Sequence, residues 1–526
     1  MGNKMVLLED LPNEIFTQII QELRANLMVT DSTSDIQRRY HLYPVCLVSR
    51  RFQSLAQNEL YSSFCVLKRE DAVKDIPIFF QRIHDCPSLQ PHVESLCLRY
   101  SEDHQDNSTH NLGFKTYSPE PWPNLQKITD LIYRRFGMEE DTERLWITAC
   151  FDPWHATELL ISLILLLCPN LRNLALTLPS WKEPLASTIS SALSPDAPSQ
   201  TGLRRLETIT FFPPDGSYHI FRFWRILFLP RLHTINATNF NFSRSHGMSD
   251  LESSKQTKIF SSIRNVSMNQ SIESCLRLLR FLHRATGPDS ALTSIRYVVN
   301  VPEDDSLETV WRRFRYKFGI LNRNLVKIGS KLTRLEVRVP KINDCILPHG
   351  VLTSTTSMQC LEWLKTDLRL LIGSQGTEHL DLTLPPNLQT LEIGDWTTKW
   401  FTQNTTHILI ALQEIVEMRA YGEGRGALRA IGGLPIIRRE EARLDPFNLL
   451  TILLKSCTEL GVILEGVLIN DKGRRVRRVD LTRTQADNES WLKTGWQSVH
   501  EAQVDIQPEE NDGELESEAW AVEDEA

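Results

Sequence analysis

The sequence contains no Cys-x-x-Cys pair, no His-Glu-x-x-His and no Cys/His grouping at zinc-finger spacing. A dedicated zinc site is therefore not expected. Neither the P-loop pattern nor Gly-x-Gly-x-x-Gly occurs, and the absence of Gly-x-Ser-x-Gly removes the usual hydrolase nucleophile elbow. The 14 histidines are thinly spread, and no pair of carboxylates stands apart from the general charge. No catalytic, metal-binding or cofactor-binding residue is expected, and the chain reads as a non-catalytic one. Long apolar runs are missing too. The longest, LLISLILLLC at 159–168, has ten residues, about half of what a membrane-crossing helix needs, so it reads as a buried helix and no membrane segment is expected. The opening MGNKMVLLEDLPNE is too acidic and too poor in apolar residues for a secretory signal. The N-x-[ST] matches at Asn107 and Asn404 are then read as chance.

What is present is a 526-residue chain with 41% apolar residues and a net charge of −8. That length and apolar content support a large core, divided into two or more domains or built as one repeat array. The charge argues against general nucleic-acid binding. WRRFRYKF at 311–318 has the Arg and aromatic content for stacking on nucleic acid. On a helix, however, the same alternation gives one buried and one solvated face, and nucleic acid is not expected as a partner. Ten scattered cysteines, most among apolar neighbours, fit reduced, buried thiols in a cytoplasmic and/or nuclear protein. GEGRGALRAIGG at 422–433 matches no phosphate-binding fingerprint and reads as a flexible loop.

Near the start, Leu11, Ile15, Ile19 and Leu23 recur every fourth residue, with Phe16 and Ile20 beside them. This spacing predicts a helix with one broad apolar face, headed by Asp10 and Pro12. A second helix is predicted over PVCLVSRRFQSLAQNELY at 44–61, where Val45, Val48, Phe52 and Leu55 form the stripe. Two helices with faces this wide need a further surface to bury them, in this chain or in a partner. LPNEIFTQIIQEL followed by CLVSRRFQSLAQNELY resembles the F-box, especially in its filamentous-fungal style. The opening matches at Leu11, Pro12, Glu14 and Ile15, the centre at Val48, Ser49, Arg50, Arg51 and Phe52, and the close at Leu60 and Tyr61. Residues 24–42 make a longer inter-helix connection than the family pattern. The resemblance implies a helical unit over 7–66 that docks the Skp adaptor of a cullin-RING ubiquitin ligase. Carried over, Leu11, Pro12, Ile15, Ile19, Leu47, Val48 and Phe52 contact the adaptor or shape that surface.

Behind this unit a six-residue template, apolar-x-x-apolar-x-apolar, recurs nine times: VESLCL (93–98), LRNLAL (171–176), LETITF (206–211), LHTINA (232–237), IRNVSM (263–268), LTSIRY (292–297), LTRLEV (332–337), LEWLKT (361–366) and LQTLEI (388–393). After the first interval the starts lie 26 to 40 residues apart, which predicts one short strand per unit with a helical or irregular return. Helical returns are read at 156–170, 271–287 and 307–328. The pattern resembles the divergent leucine-rich repeats found behind fungal F-boxes, although no Asn recurs as a regular ladder. The expected fold class is α/β: the small helical unit, then an irregular solenoid of short parallel strands alternating with helices over 67–470. Insertions are expected near 101–124, 180–202 and 241–258. A basic segment follows at 471–507, in which KGRRVRRVDLTR (472–483) reads equally as a solvated last strand or a nuclear-import signal. The acidic tail at 508–526, with nine carboxylates and no Lys or Arg, is expected to be disordered.

The function these resemblances imply is that of a substrate-recognition subunit of an SCF-type ligase, with the Skp adaptor, cullin through it, and an unidentified protein target as partners. The alternative is an adaptor-bound scaffold or regulatory protein outside any ligase.

Overall fold

The computed structural model describes residues 12–16, 18–19, 50–101, 153–177, 202–212, 226, 229–238, 262–270, 275–276, 279, 291–299, 319–328, 331–339, 352, 354–367, 370–371, 384–394, 398–421, 428–436, 446–469 and 475–482. Among the described residues a helix, α1 (Arg50–Ser62), leads into a sheet of 13 strands whose spatial order is the chain order. The first six strands are β1 (Ser63–Lys68), β2 (Ser95–Ser101), β3 (Asn173–Thr177), β4 (Thr208–Phe212), β5 (Thr234–Thr238) and β6 (Asn265–Gln270). They continue as β7 (Ser294–Val299), β8 (Arg334–Arg338), β9 (Trp363–Thr366), β10 (Thr390–Ile393), β11 (Ala430–Ile436) and β12 (Ile463–Ile469). These twelve pair in parallel, and β13 (Arg475–Asp480) adds antiparallel to β12. Parallel neighbours need a crossover of about a dozen residues or more, which the template spacing supplies. Residues 470–474 between β12 and β13 are too few for one, so the chain doubles back.

All nine templates coincide with strands, β2 to β10. The fourth template position forms an unbroken buried column in register, Leu96, Leu174, Ile209, Ile235, Val266, Ile295, Leu335, Leu364 and Leu391, which Phe64 on β1 and Ile431 and Leu464 on β11 and β12 extend. The sixth position forms a second column, from Leu98 through Leu176, Phe211, Ala237, Met268, Tyr297 and Val337 to Thr366 and Ile393. The first position supplies a third buried set, from Val93 and Leu171 to Leu361 and Leu388. Side chains alternate across a strand, so positions four and six share the core face and position five points away from it. The long interval between β2 and β3, which contains the expected insertion at 101–124, leaves Leu96 beside Leu174 and the order of the sheet intact.

At the strand entrances one backbone device recurs. The carbonyl of the second template residue accepts two N–H groups from the next unit. The Glu94 oxygen takes those of Arg172 (2.8 Å) and Asn173 (3.0 Å), and the Arg172 oxygen takes those of Glu207 (2.8 Å) and Thr208 (2.9 Å). The carbonyls of Glu207, His233, Arg264, Thr293, Thr333, Glu362 and Gln389 do the same.

Helices cover the two ends of the core. α2 (Arg69–Asp85) packs on β1 and β2 and on α3 (Pro153–Leu167), while α4 (Thr398–Tyr421) packs against α5 (Pro446–Glu459). Every residue of LLISLILLLC is buried, as a helix apolar on all sides requires. The expected returns at 271–287 and 307–328 are helical where described, with Leu276 and Leu279 buried in the first and Leu321, Leu325 and Ile328 in the second. No helix among the described residues is long and apolar enough to cross a membrane. WRRFRYKF, the 180–201 and 241–258 stretches, the tail at 508–526 and most of 101–124 lie outside the described residues.

The sequence expectation fails at GEGRGALRAIGG. Leu428 is buried as the first residue of a further unit, and Ala430–Ile436 is a strand paired with β10 and β12. The glycines there serve a close backbone approach: Gly433 has φ 85°, and a Cβ on it would stand 2.1 Å from the Ile393 carbonyl oxygen. In the basic run, Arg475–Asp480 is a strand. β1 spans residue 66, where the helical unit was expected to end, so that unit and the sheet share a strand.

Gly461, φ 69°, follows α5 as a left-handed helix stop with no atom within 4 Å of an added Cβ. Gly461→Ala is expected to cost about 1–2 kcal/mol for backbone strain alone. Gly433→Ala adds a steric clash and is expected to cost about 3 kcal/mol or more. Urea unfolding of the two variants beside the parent chain checks the order.

Candidate functional site

Two surfaces carry features that the core does not need. The first is built by the N-terminal helical residues and α1. Residues 13–16 and 18–19 are helical, with Pro12 at the head accepting the Phe16 N–H at 3.1 Å. Phe16, 3% exposed, stacks on Phe52, 1% exposed, with ring centroids 4.2 Å apart and planes 17° from parallel. Arg51 adds a fork, donating from Nε and Nη2 to the Asn13 side-chain oxygen at 2.9 and 2.6 Å. These contacts fix which side of the helix faces inward. Ile15 and Ile19, four residues apart and so on one side of the helix, remain 45% and 39% exposed. α1 in turn packs on a 3-10 turn at Pro87–His92 and runs directly into β1, so the pair is seated on the end of the sheet.

Of the residues expected to contact an adaptor, Pro12, Ile15 and Ile19 are exposed. Phe52 is internal to the helical pair, stacked on Phe16. Leu11, Leu47 and Val48 lie outside the described residues. The predicted apolar face therefore divides: Phe16 takes the buried role, and the isoleucines flanking it remain outside.

The second surface is the sheet face opposite the core. Reading the fifth template position from β2 onward gives Cys97, Ala175, Thr210, Asn236, Ser267, Arg296, Glu336, Lys365 and Glu392, each beside the next in register. Its first half is small and uncharged, with the Asn236 amide donating to Thr210 Oγ1 at 3.1 Å, and at the third template position the Asn265 amide donates to Thr234 Oγ1 at 3.2 Å. From β7 onward it alternates in sign. Arg296 Nε lies 3.2 Å from Glu336, Arg338 approaches the other Glu336 oxygen at 3.8 Å, and Lys365 Nζ lies 3.2 Å from Glu392. The Arg334 guanidinium sits 4.8 Å from the Trp363 ring centroid. Most of these groups are well covered, but the Arg296 side chain is 56% exposed, so its pair with Glu336 adds little stability and leaves a cation facing outward. Sequence reading missed this charged half because its members stand 27 to 40 residues apart; aligning the templates and reading their fifth letters would have shown it.

Among the described residues no group of three or more His, Cys, Asp and Glu is placed to hold a metal ion.

Truncating Phe16 to Ala removes the stack on Phe52, with a local cost of about 3–5 kcal/mol. The expected result is rapid proteolytic cleavage near residues 12–19 with the melting transition of the sheet preserved, checked by limited digestion and circular dichroism on the same sample. Compared with known proteins, the sequence matches no family model and no curated relative.

Proposed function

We propose that this chain is the substrate-recognition subunit of an SCF-type cullin-RING ubiquitin ligase, with an F-box at its N-terminal helical unit and an irregular leucine-rich-repeat body. The carrying observation is the pair Ile15 and Ile19, left outward on a helix whose neighbouring Phe16 is buried against Phe52. Two exposed isoleucines on one helix side, with Pro12 at its head, suit an apolar groove on a partner protein. The sequence resemblance names that partner as the Skp adaptor. Support for the body comes from the in-register columns, which give each 26-to-40-residue unit one strand and one shared core. Its alternating charged face from β7 to β10 is a suitable surface for a protein target. Catalysis then belongs to the assembled ligase, and this chain contributes proximity by holding the target near the ubiquitin-loaded enzyme.

Replacing Ile15 and Ile19 together by Asp is expected to abolish co-purification of adaptor and cullin. Because both residues are exposed, stability should stay within about 0.5 kcal/mol of the parent. Undiminished adaptor capture by the folded variant refutes the docking assignment. Adaptor captured by the parent chain without cullin favours the scaffold reading. Arg296→Glu is expected to leave adaptor capture intact and weaken retention of targets that accumulate when the proteasome is inhibited; unchanged retention removes the charged face from the target site.

A further inference from the structure

The described cysteines differ in exposure. Cys168, Cys275 and Cys457 are buried, and burial pushes their thiols up, that of Cys457 to about 12. Cys360 is exposed on a turn. Cys86 is half-buried, and the remaining described pair is Cys65, buried, and Cys97, half-buried. They are direct register partners on β1 and β2, at the fifth-position row that points away from the core, between the buried pairs Phe64–Leu96 and Val66–Leu98. Directly paired residues on neighbouring strands stand about 4.8 Å apart, inside the Cα span of about 4.4–6.8 Å that a disulfide bridges. The Cβ atoms of a disulfide come somewhat closer than the strand spacing, and the setting allows that adjustment: β1 is the first strand in the sheet and its pairing shifts register between Val66 and Lys68, just beyond Cys65. Ala175, the next residue in the row beyond Cys97, is small. Cys97 is half-buried while Cys65 is 5% exposed, so a small oxidant reaches Cys97 first.

We propose that Cys65 and Cys97 form a reversible dithiol–disulfide site that low-molecular-weight disulfides of the glutathione type oxidise. Cys97, as thiolate, attacks one sulfur of the small disulfide and releases one small thiol, giving a mixed disulfide. The Cys65 thiolate then attacks the Cys97 sulfur and releases the second small thiol. One protein S–S bond forms, one small-molecule S–S bond breaks, and the two protons from the cysteines leave on the two released thiols. The bridge ties β1, and with it the end of α1, to β2, closing a loop that holds α2 and the Pro87–His92 turn. The site stands whether or not the helical unit docks an adaptor.

The test uses the full chain, reduced, desalted and exposed to glutathione disulfide, then blocked with an alkylating reagent, digested and mapped by mass spectrometry. The expected product is a peptide pair joined through Cys65 and Cys97, removed by reductant, while Cys168, Cys275 and Cys457 stay unmodified. In Cys65→Ser the expected product is a stable glutathione adduct on Cys97, and in Cys97→Ser the Cys65 thiol stays unmodified. Oxidation of the parent chain is also expected to slow amide exchange across 63–68 on the order of tenfold. The proposal is overturned if Cys65 and Cys97 both remain alkylatable under conditions that convert Cys360 to its glutathione adduct, or if either pairs with a different cysteine. Because the parent-chain map uses no substitution, a variant that fails to fold does not remove the test.

Discussion

The structure depends on a carbonyl that serves twice. At each strand entrance from β2 to β10, one backbone oxygen holds two consecutive N–H groups of the next unit. Two donors on one acceptor leave no room for a one-residue slip, and a slip would turn every side chain of the strand to the opposite face. The apolar columns follow from this lock, since the residue two positions after that carbonyl always arrives beside its counterpart. The outward row follows as well. The long polar stretches between units therefore vary in length without disturbing the core: each unit is judged at its entrance, and the intervening chain has only to return there.

Legibility in the sequence followed the same division. The nine templates could be read because buried columns demand a leucine-like residue at fixed offsets, and all nine are strands. β11 was missed because its template, LRAIGG, ends in glycines, which resemble a loop until the Ile393 carbonyl is seen crowding Gly433. β1 went unread because it follows α1 without a turn signal. No Asn recurs as a regular ladder in the sequence, yet two isolated asparagines bridge to the preceding unit: Asn170 donates to the Pro91 carbonyl at 2.7 Å and Asn387 to the Gln359 carbonyl at 2.6 Å. Each stands just before the first template leucine and reaches the preceding turn. At the N-terminal surface, helical periodicity identified the apolar residues but not their division between Phe16 inside and the isoleucines outside. That division depends on where the second helix lies, and helical spacing carries no information about it.

The two surfaces have different physical origins. The helical pair is held by one aromatic stack and one guanidinium fork, and it reaches the sheet through a helix continuous with an edge strand. The strand face is a consequence of register: charges that are remote in sequence meet because the carbonyl ladder places them opposite one another. Arg419 does a related task behind the sheet, where its guanidinium donates to the carbonyls of Pro385 and Pro386 at 2.7 and 2.8 Å and anchors the turn before β10 to α4. Burial lowers its pKa, but the donors remain with the two oxygens they satisfy.

The reversal at β13 has a consequence for how copies of this chain meet. A parallel sheet with continuous apolar columns is self-complementary from head to tail, because the first strand of one molecule could extend the last of another indefinitely. Here the last strand among the described residues, β13, runs backwards and has the sequence RVRRVD. An incoming β1 would meet a strand that runs opposite to β12. The hairpin thus ends the parallel run at β12, through a connection too short for a crossover.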